Sequence, residues 1–284
     1  MPDANVFTKI TNEYYQLTSA EKKISDYVVI HQHQTQYMSI SELAEECGVA
    51  EATVSRFCKR LNYKGYNAFK LAIANSTATH GTRNPLAGEV RKDDSFFDMC
   101  QKVYDADVDA VRQTLALVRA EEVIAAAEVL LHADKVICMG QGGSMILAQE
   151  AAHLFSTART GFFAIWDSHL QIVSVSQLGA QDAVLFFSYS GSTKELLEVL
   201  SVVKQRGAKS ILITHFPKSP GAGLADVVLQ CGALEGPMQL GSVAARMAQL
   251  FLTDVLFSEV CRRDLEACQA RRETIAEALA EKHL

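Results

Sequence analysis

The chain has 284 residues, 49% of them apolar and 21% charged, with a formal net charge of -6. These values fit a soluble globular protein with room for more than one domain, and they exclude a uniformly basic nucleic-acid binder while leaving a local basic face open. No apolar run approaches the ~20 residues that cross a bilayer.

The N-terminal stretch "MPDANVFTKITNEYYQ" lacks the basic-then-apolar layout of a secretory signal. Seven cysteines are scattered without a C-x-x-C pair, so reduced thiols in a cytoplasm are expected rather than a disulfide framework or zinc site.

Up to about residue 76 the patterning is helical and dense. In "SISELAEECGVAEATVSRFCKRL", Ser39 or Ser41 can cap a helix with apolar positions at Ile40, Leu43 and Ala44. Gly48 ends it, because a tight turn needs a residue that tolerates positive φ, and Val49 pins the turn to the core. After Ala50 a second helix carries Val54, Phe57 and Leu61 on one face and Ser55, Arg56, Lys59 and Arg60 on another. A helix, a glycine turn and a second helix, with the small Ala44 at the close approach, form a helix-turn-helix layout. From Ala52 to Lys70 there are five basic residues and no acidic one, a positive strip of the kind phosphate binding requires. An ordinary helical hairpin with a solvated basic face is the bland alternative.

The stretch "NSTATHGTRNPLAGEVRKDD", Asn75 to Asp94, reads as a linker. The expected organisation is a helical domain over 1–76, a linker over 77–95 and a second domain over 96–284. Two amphipathic helices open that second domain, about Phe97 to Leu117 and Glu121 to Leu131. The apolar runs "KVICMG", "GFFAIW", "AVLFFS", "SILIT" and "VVLQC" then alternate with helix-length or loop-length segments. This predicts an α/β three-layer sandwich around a mostly parallel sheet. The closing "RRDLEACQARRETIAEALAEKHL" is a charged helix that either packs on a partner subunit or is solvated.

Two strand-to-helix loops carry candidate chemistry. In "SYSGSTKEL" the hydroxyls of Ser188, Ser190, Ser192 and Thr193 surround Gly191 at the carboxyl end of a strand and the amino end of a helix, where free N–H groups and the helix dipole favour phosphate. In "VICMGQGGSM" residues Gly140, Gly142, Gly143 and Ser144 occupy the same position after an earlier strand. Two such loops on neighbouring strands can face one ligand at a topological switch point. Helix capping by Ser192 or Thr193 is the simplest alternative. A dinucleotide fingerprint is disfavoured because Met145 stands where the third glycine belongs, although Asp167 follows the next strand; no P-loop is present.

The segments "LTSAEKKISDYVV" and "MSISELAEECGVAEATVSRFCKRLNYKGYNAFKLAIA" resemble the N-terminal domain of RpiR/MurR-type bacterial transcription regulators. The resemblance implies that Ala50, Glu51, Ala52, Ser55, Arg56 and Lys59 face the DNA major groove. It places Thr53, Arg60 and Lys64 toward phosphates, with Tyr63 and Tyr66 flanking the strip. Ala50 departs from the Ser often found there as a helix cap. Glu51 can accept from a cytosine amino group or favour the helix dipole, and both readings stand.

From about Ala120 to Arg263 the chain is similar to a sugar isomerase (SIS) domain, whose flavodoxin-like parallel sheet the resemblance implies. Ser144 then matches the first-loop serine beside Gly142 and Gly143. Ser188, Ser190, Ser192 and Thr193 match the phosphate-binding loop, with Gly191 within it and Tyr189 at a variable position. Glu235 and Gln239 fall near the sugar end, and Ser242 would cap the following helix.

The combination leads us to expect a cytoplasmic, non-catalytic regulator that binds a double-stranded DNA operator. It would respond to a phosphorylated sugar, need no other cofactor and no membrane, and act as a homodimer or homotetramer. The alternative is a SIS-type sugar-phosphate isomerase with an accessory nucleic-acid-binding domain, using Glu235 or His215 as base.

Overall fold

The computed structural model describes residues 6–77, 90–233, 235 and 242–280. The first helices are α1 (Val6–Glu13), α2 (Ser19–Ile30), α3 (Gln32–Thr35), α4 (Ile40–Glu46), α5 (Glu51–Arg60) and α6 (Tyr66–Thr77). Capping boxes start α2 and α4: Thr18 and Ser39 each accept from the N–H three residues on, while Glu21 and Glu42 reach back. Leu43, Val54, Phe57, Leu61, Phe69 and Ile73 are all buried in one core. The Phe57 and Phe69 rings meet edge to face at 5.7 Å.

The long helix α7 (Phe96–Leu117) follows, then α8 (Ala120–His132). The chain divides into two compact units, and the division falls within α7 between Ala106 and Asp107; Glu235 and Ser242 group with the first unit.

The second unit is built on β1 (Lys135–Gly140), β2 (Phe162–Ala164), β3 (Asp182–Phe187), β4 (Lys209–Thr214) and β5 (Val227–Gln230). They pair in the order β2-β1-β3-β4-β5, every pair parallel. The helices between them are α9 (Gly143–Ser156), α10 (Ser168–Val175) and α11 (Lys194–Arg206), and α12 (Val243–Arg263) and α13 (Leu265–Ala280) are the last described elements.

Alternate strand residues feed two cores. Cys138, Leu185, Phe187, Ile211 and Ile213 pack with residues of α8, α9 and α12, whereas Ile137, Met139, Val184, Phe186 and Leu212 pack with α11. Burial on both faces explains why these strands read as continuous apolar runs rather than as alternating ones. The expected three-layer α/β architecture is the one observed. Among the described residues no helix is long and apolar enough to cross a membrane.

Candidate functional site

The helix-turn-helix is made by α4 and α5. Gly48 lies at φ +61°, and the Val49 N–H donates to the Ala44 carbonyl at 2.9 Å, which closes the turn. Burial of Val54, Phe57 and Cys58 orients α5 so that Ala52, Arg56 and Lys59 are exposed, with Glu51, Thr53 and Ser55 partly exposed. Ala50 is the N-cap and supplies no side-chain bond, so the first N–H groups of α5 are left to other partners.

Several predicted residues are tied down. The Ser41 hydroxyl donates to the Glu51 carboxylate, which joins the two helices of the motif. Arg60 donates to Glu21 at 3.1 Å and to the Gln16 carbonyl at 2.8 Å. Arg56 donates to Thr53 Oγ1 at 3.2 Å. The Tyr66 hydroxyl donates to the Met38 carbonyl, and the Tyr63 ring packs on Phe69. Lys59 and Lys64 remain exposed.

In the second unit β1 and β3 are neighbours in register, with Gly140 opposite Phe187. After β1 the chain moves to β2 on one side, and after β3 it moves to β4 on the other. The loops following β1 and β3 therefore leave the carboxyl edge side by side at the switch point, where α/β sheets bind ligands.

The first loop is short. Gly142, at φ +55°, is the N-cap of α9, which Gly143 and Ser144 open. A Cβ on Gly140 would lie 2.6 Å from the Ser144 carbonyl oxygen, so only glycine permits this approach of strand to helix. Gln171 holds the loop from behind. Fully buried, it accepts from Gln141 Nε2 at 2.7 Å and donates to the Ile165 carbonyl at 2.8 Å. Met145, at the place of a dinucleotide-binding glycine, is buried in the core.

In the second loop Gly191 lies at φ +59°; a Cβ there would sit 2.0 Å from Ser219 Oγ. The Gly221 N–H donates to the Gly191 carbonyl at 2.8 Å, which clamps the loop to the turn after β4. Ser188 is buried and accepts from the Gly191 N–H through its hydroxyl at 3.2 Å. The Ser192 N–H donates to Ser190 Oγ at 3.3 Å, and Ser192 Oγ donates to the Ser190 carbonyl at 2.9 Å.

Thr193 behaves differently. It is the N-cap of α11 but makes no capping bond, and its buried hydroxyl has no hydrogen-bond partner among the described residues. Capping therefore does not account for either hydroxyl, since Ser192 bonds within its own loop. An unsatisfied buried hydroxyl at a helix N-terminus calls for an acceptor, and a phosphate oxygen fits that position.

Tyr189 reaches away from its neighbours. Its hydroxyl donates to the Ala233 carbonyl at 2.8 Å and its ring stacks on His215 at 5.0 Å. His215 Nδ1 bonds the Cys231 carbonyl at 2.9 Å, and Glu235 Oε1 accepts from the Ser242 N–H at 2.8 Å. Gln239 and most of the linker over 77–95 lie outside the described residues. Among the described residues no cluster of His, Cys, Asp or Glu is arranged to hold a metal ion.

Gln171 and the Tyr189–Ala233 bond went unrecognised in the sequence. A polar residue in the helix facing "GQGGS" is the only hint of the former.

The family model "Helix-turn-helix domain, rpiR family" matches residues 4–80, and "SIS domain" matches residues 129–259. An HTH-type transcriptional regulator of Caldanaerobacter subterraneus subsp. tengcongensis is 34% identical over 263 residues, 93% of each chain. Another, from Haemophilus influenzae, is 29% identical over 276 residues, 95% of each chain. Among solved structures, the Vibrio vulnificus NanR protein complexed with ManNAc-6P superposes over 98% of this chain and 99% of its own, with a TM-score of 0.89 at 24% identity, which shows a common fold. With its glycine-turn helix pair, its two switch-point loops and relatives alike over nearly their whole length, the chain belongs to the RpiR family of helix-turn-helix transcriptional regulators and carries a SIS domain.

Proposed function

We propose that the SIS domain binds a phosphorylated sugar and that its occupancy changes how the helix-turn-helix binds operator DNA. The unpartnered Thr193 hydroxyl carries this reading. In it, phosphate sits against Ser188, Ser190, Ser192, Thr193 and the N–H groups opening α11, close to Gly191. Gly142, Gly143 and Ser144 face the same ligand from the neighbouring loop, with Tyr189 beside them. Hydroxyls and N–H groups suit a phosphate because they donate without burying a second charge. The NanR neighbour is described with ManNAc-6P, which makes amino-sugar 6-phosphates the first compounds to try.

On the DNA side Ala50, Glu51, Ala52, Ser55, Arg56 and Lys59 face base edges, while Thr53, Arg60 and Lys64 lie toward phosphates. A homo-oligomer would present two such helices to a palindromic operator. Regulation of sugar or amino-sugar genes in the cytoplasm follows. Catalysis is not required, because a sensor needs only differential affinity between two states. The engagement of His215 by Cys231 and Tyr189, and of Glu235 by Ser242, supports a binding role over an isomerase role.

Changing Ser188 and Ser190 together to Ala tests the division of labour. Operator binding in a gel-shift titration should survive while its response to sugar phosphate disappears. Loss of operator binding itself, with the fold intact by circular dichroism, would contradict the reading.

A further inference from the structure

The Gln141–Gln171 pair fixes more than the shape of the first loop. Gln171 Nε2 donates to two main-chain carbonyls, that of Ile165 at 2.8 Å and that of Gly140 at 3.3 Å. A carbonyl only accepts, so the Gln171 amide has one orientation, with Nε2 on those carbonyls and Oε1 turned to Gln141. Gln141 must then donate, and its Nε2 does so at 2.7 Å. The main chain thus orients the second amide through the first. The Gln141 carbonyl oxygen is left over, and no described residue donates to it.

That oxygen belongs to the edge where the ligand is proposed to sit. Gln141 is partly exposed and stands between Gly140, the last residue of β1, and Gly142, the N-cap of α9. Gln171 lies one turn before Val175 on α10, and Val175 shares a core with Leu196 of α11. The Gln141 amide is therefore held on the side of the sheet where α11 begins. Neither loop carries a formal charge, from Gly140 to Ser144 or from Ser188 to Thr193. Hydroxyls and N–H groups there are donors for phosphate; Gln141 Oε1 is an acceptor fixed beside them.

We infer that Gln141 reads the sugar part of the ligand, accepting a hydrogen bond from a hydroxyl or amide N–H, and that Gln171 positions it. The ligand class narrows to a phosphate ester that carries a neutral hydrogen-bond donor near its phosphate. A ligand without that donor leaves the oriented acceptor unpaired on binding, which is how a polar site rejects an analogue. This inference rests on the proposed binding of a sugar phosphate and concerns selectivity, not the phosphate contact.

The test is isothermal titration calorimetry on the full chain with inorganic phosphate, ManNAc-6P and glucose 6-phosphate. At least one of the two sugar phosphates should bind wild type more tightly than inorganic phosphate does. Gln141→Met and Gln171→Met, each checked for fold by circular dichroism, should weaken that sugar phosphate roughly 5- to 10-fold, as loss of one neutral hydrogen bond does. Inorganic phosphate should stay within about twofold of wild type, since its donors are untouched. A loss in Gln171→Met, where Gln141 is intact, marks positioning, because a merely structural change moves both ligands alike. Gln141 is partly exposed, so Gln141→Met keeps the test decisive if the buried change unfolds the chain. Undiminished sugar-phosphate affinity in Gln141→Met, or an equal loss for sugar phosphate and inorganic phosphate, would overturn the inference. So would a wild-type chain that binds inorganic phosphate as tightly as both sugar phosphates. Thr193→Val is the separate control: it should weaken both kinds of ligand, and indifference to it would defeat the phosphate cradle instead.

Discussion

The amino ends of α5 and α11 are both left without a side-chain cap, for opposite reasons. At α5 the N-cap is Ala50, which has no group to offer; at α11 it is Thr193, which has a hydroxyl and leaves it unused. By contrast α2, α4 and α10 are capped by Thr18, Ser39 and Asp167. An absent cap alone says little, because α8 also begins uncapped, at Arg119. The informative case is the donor that is present, buried and idle. In the reading proposed above, the amino end of α11 awaits a sugar phosphate, whereas that of α5 meets base edges and leaves DNA phosphates to Thr53, Arg60 and Lys64. The α5 end is exposed and flanked by cations; the α11 end is neutral, its loop clamped by the Gly221 N–H to Gly191 carbonyl bond.

The largest effect is expected where that clamped loop is disturbed. Gly191→Ala places a methyl 2.0 Å from Ser219 Oγ at a φ of +59°. It should cost about 3 kcal/mol or more of stability in thermal unfolding, and the effector response should vanish. Normal melting with intact response would mean that the loop is not rigid, and the comparison would fail. On the DNA side Arg56→Ala leaves the packing untouched and should weaken specific operator binding by ~1–3 kcal/mol in gel-shift titration if Arg56 reads a base. An unchanged titration would remove Arg56 from the recognition set.

Two hydroxyl deletions sharpen the contrast between a working cap and an idle donor. Ser39→Ala removes a capping bond and should lower stability by ~1 kcal/mol. Thr193→Val removes an unpartnered donor of nearly equal shape. It should leave the unliganded protein as stable as before, or more so, while sugar-phosphate affinity falls by ~1–3 kcal/mol. Equal losses of stability in both variants would return Thr193 to an ordinary cap.

The smallest effect is a pH dependence in the helical unit. Burial pushes the Glu21 carboxyl up, but the Thr18 N–H and hydroxyl and the Arg60 guanidinium outweigh it and hold it below the ordinary glutamate value. A depressed folded value means this stabilisation is present at neutral pH and is lost as pH falls through the acid range. Denaturant midpoints should therefore drop on acidification more in wild type than in Glu21→Gln, which has no such carboxyl to titrate.

Local chemistry made much of this legible in sequence. Gly48, Ala44 and the basic run disclosed the helix pair, because turn geometry and charge are carried by a few adjacent residues. Apolar runs disclosed the strands, and a serine-rich segment between strand and helix disclosed the second loop. What stayed hidden depends on partners remote in the chain. Arg60 read as a solvent-facing cation until Glu21, 39 residues away, was brought against it. Likewise Tyr189 looked like a spacer between serines, yet it reaches 44 residues forward to the Ala233 carbonyl. Gln171 supports "QGGS" only because β1 and α10 meet across a crossover, and no local pattern marks that junction.

The most direct measurement follows operator occupancy by fluorescence anisotropy while ManNAc-6P and related hexose and amino-sugar phosphates are titrated, each beside its unphosphorylated sugar. The account predicts that at least one phosphorylated compound shifts operator affinity in wild type, that its unphosphorylated counterpart does not, and that Thr193→Val blunts the shift. If the sugar acts equally with and without its phosphate, or if Thr193→Val responds as wild type does, the loop after β3 is not the phosphate cradle.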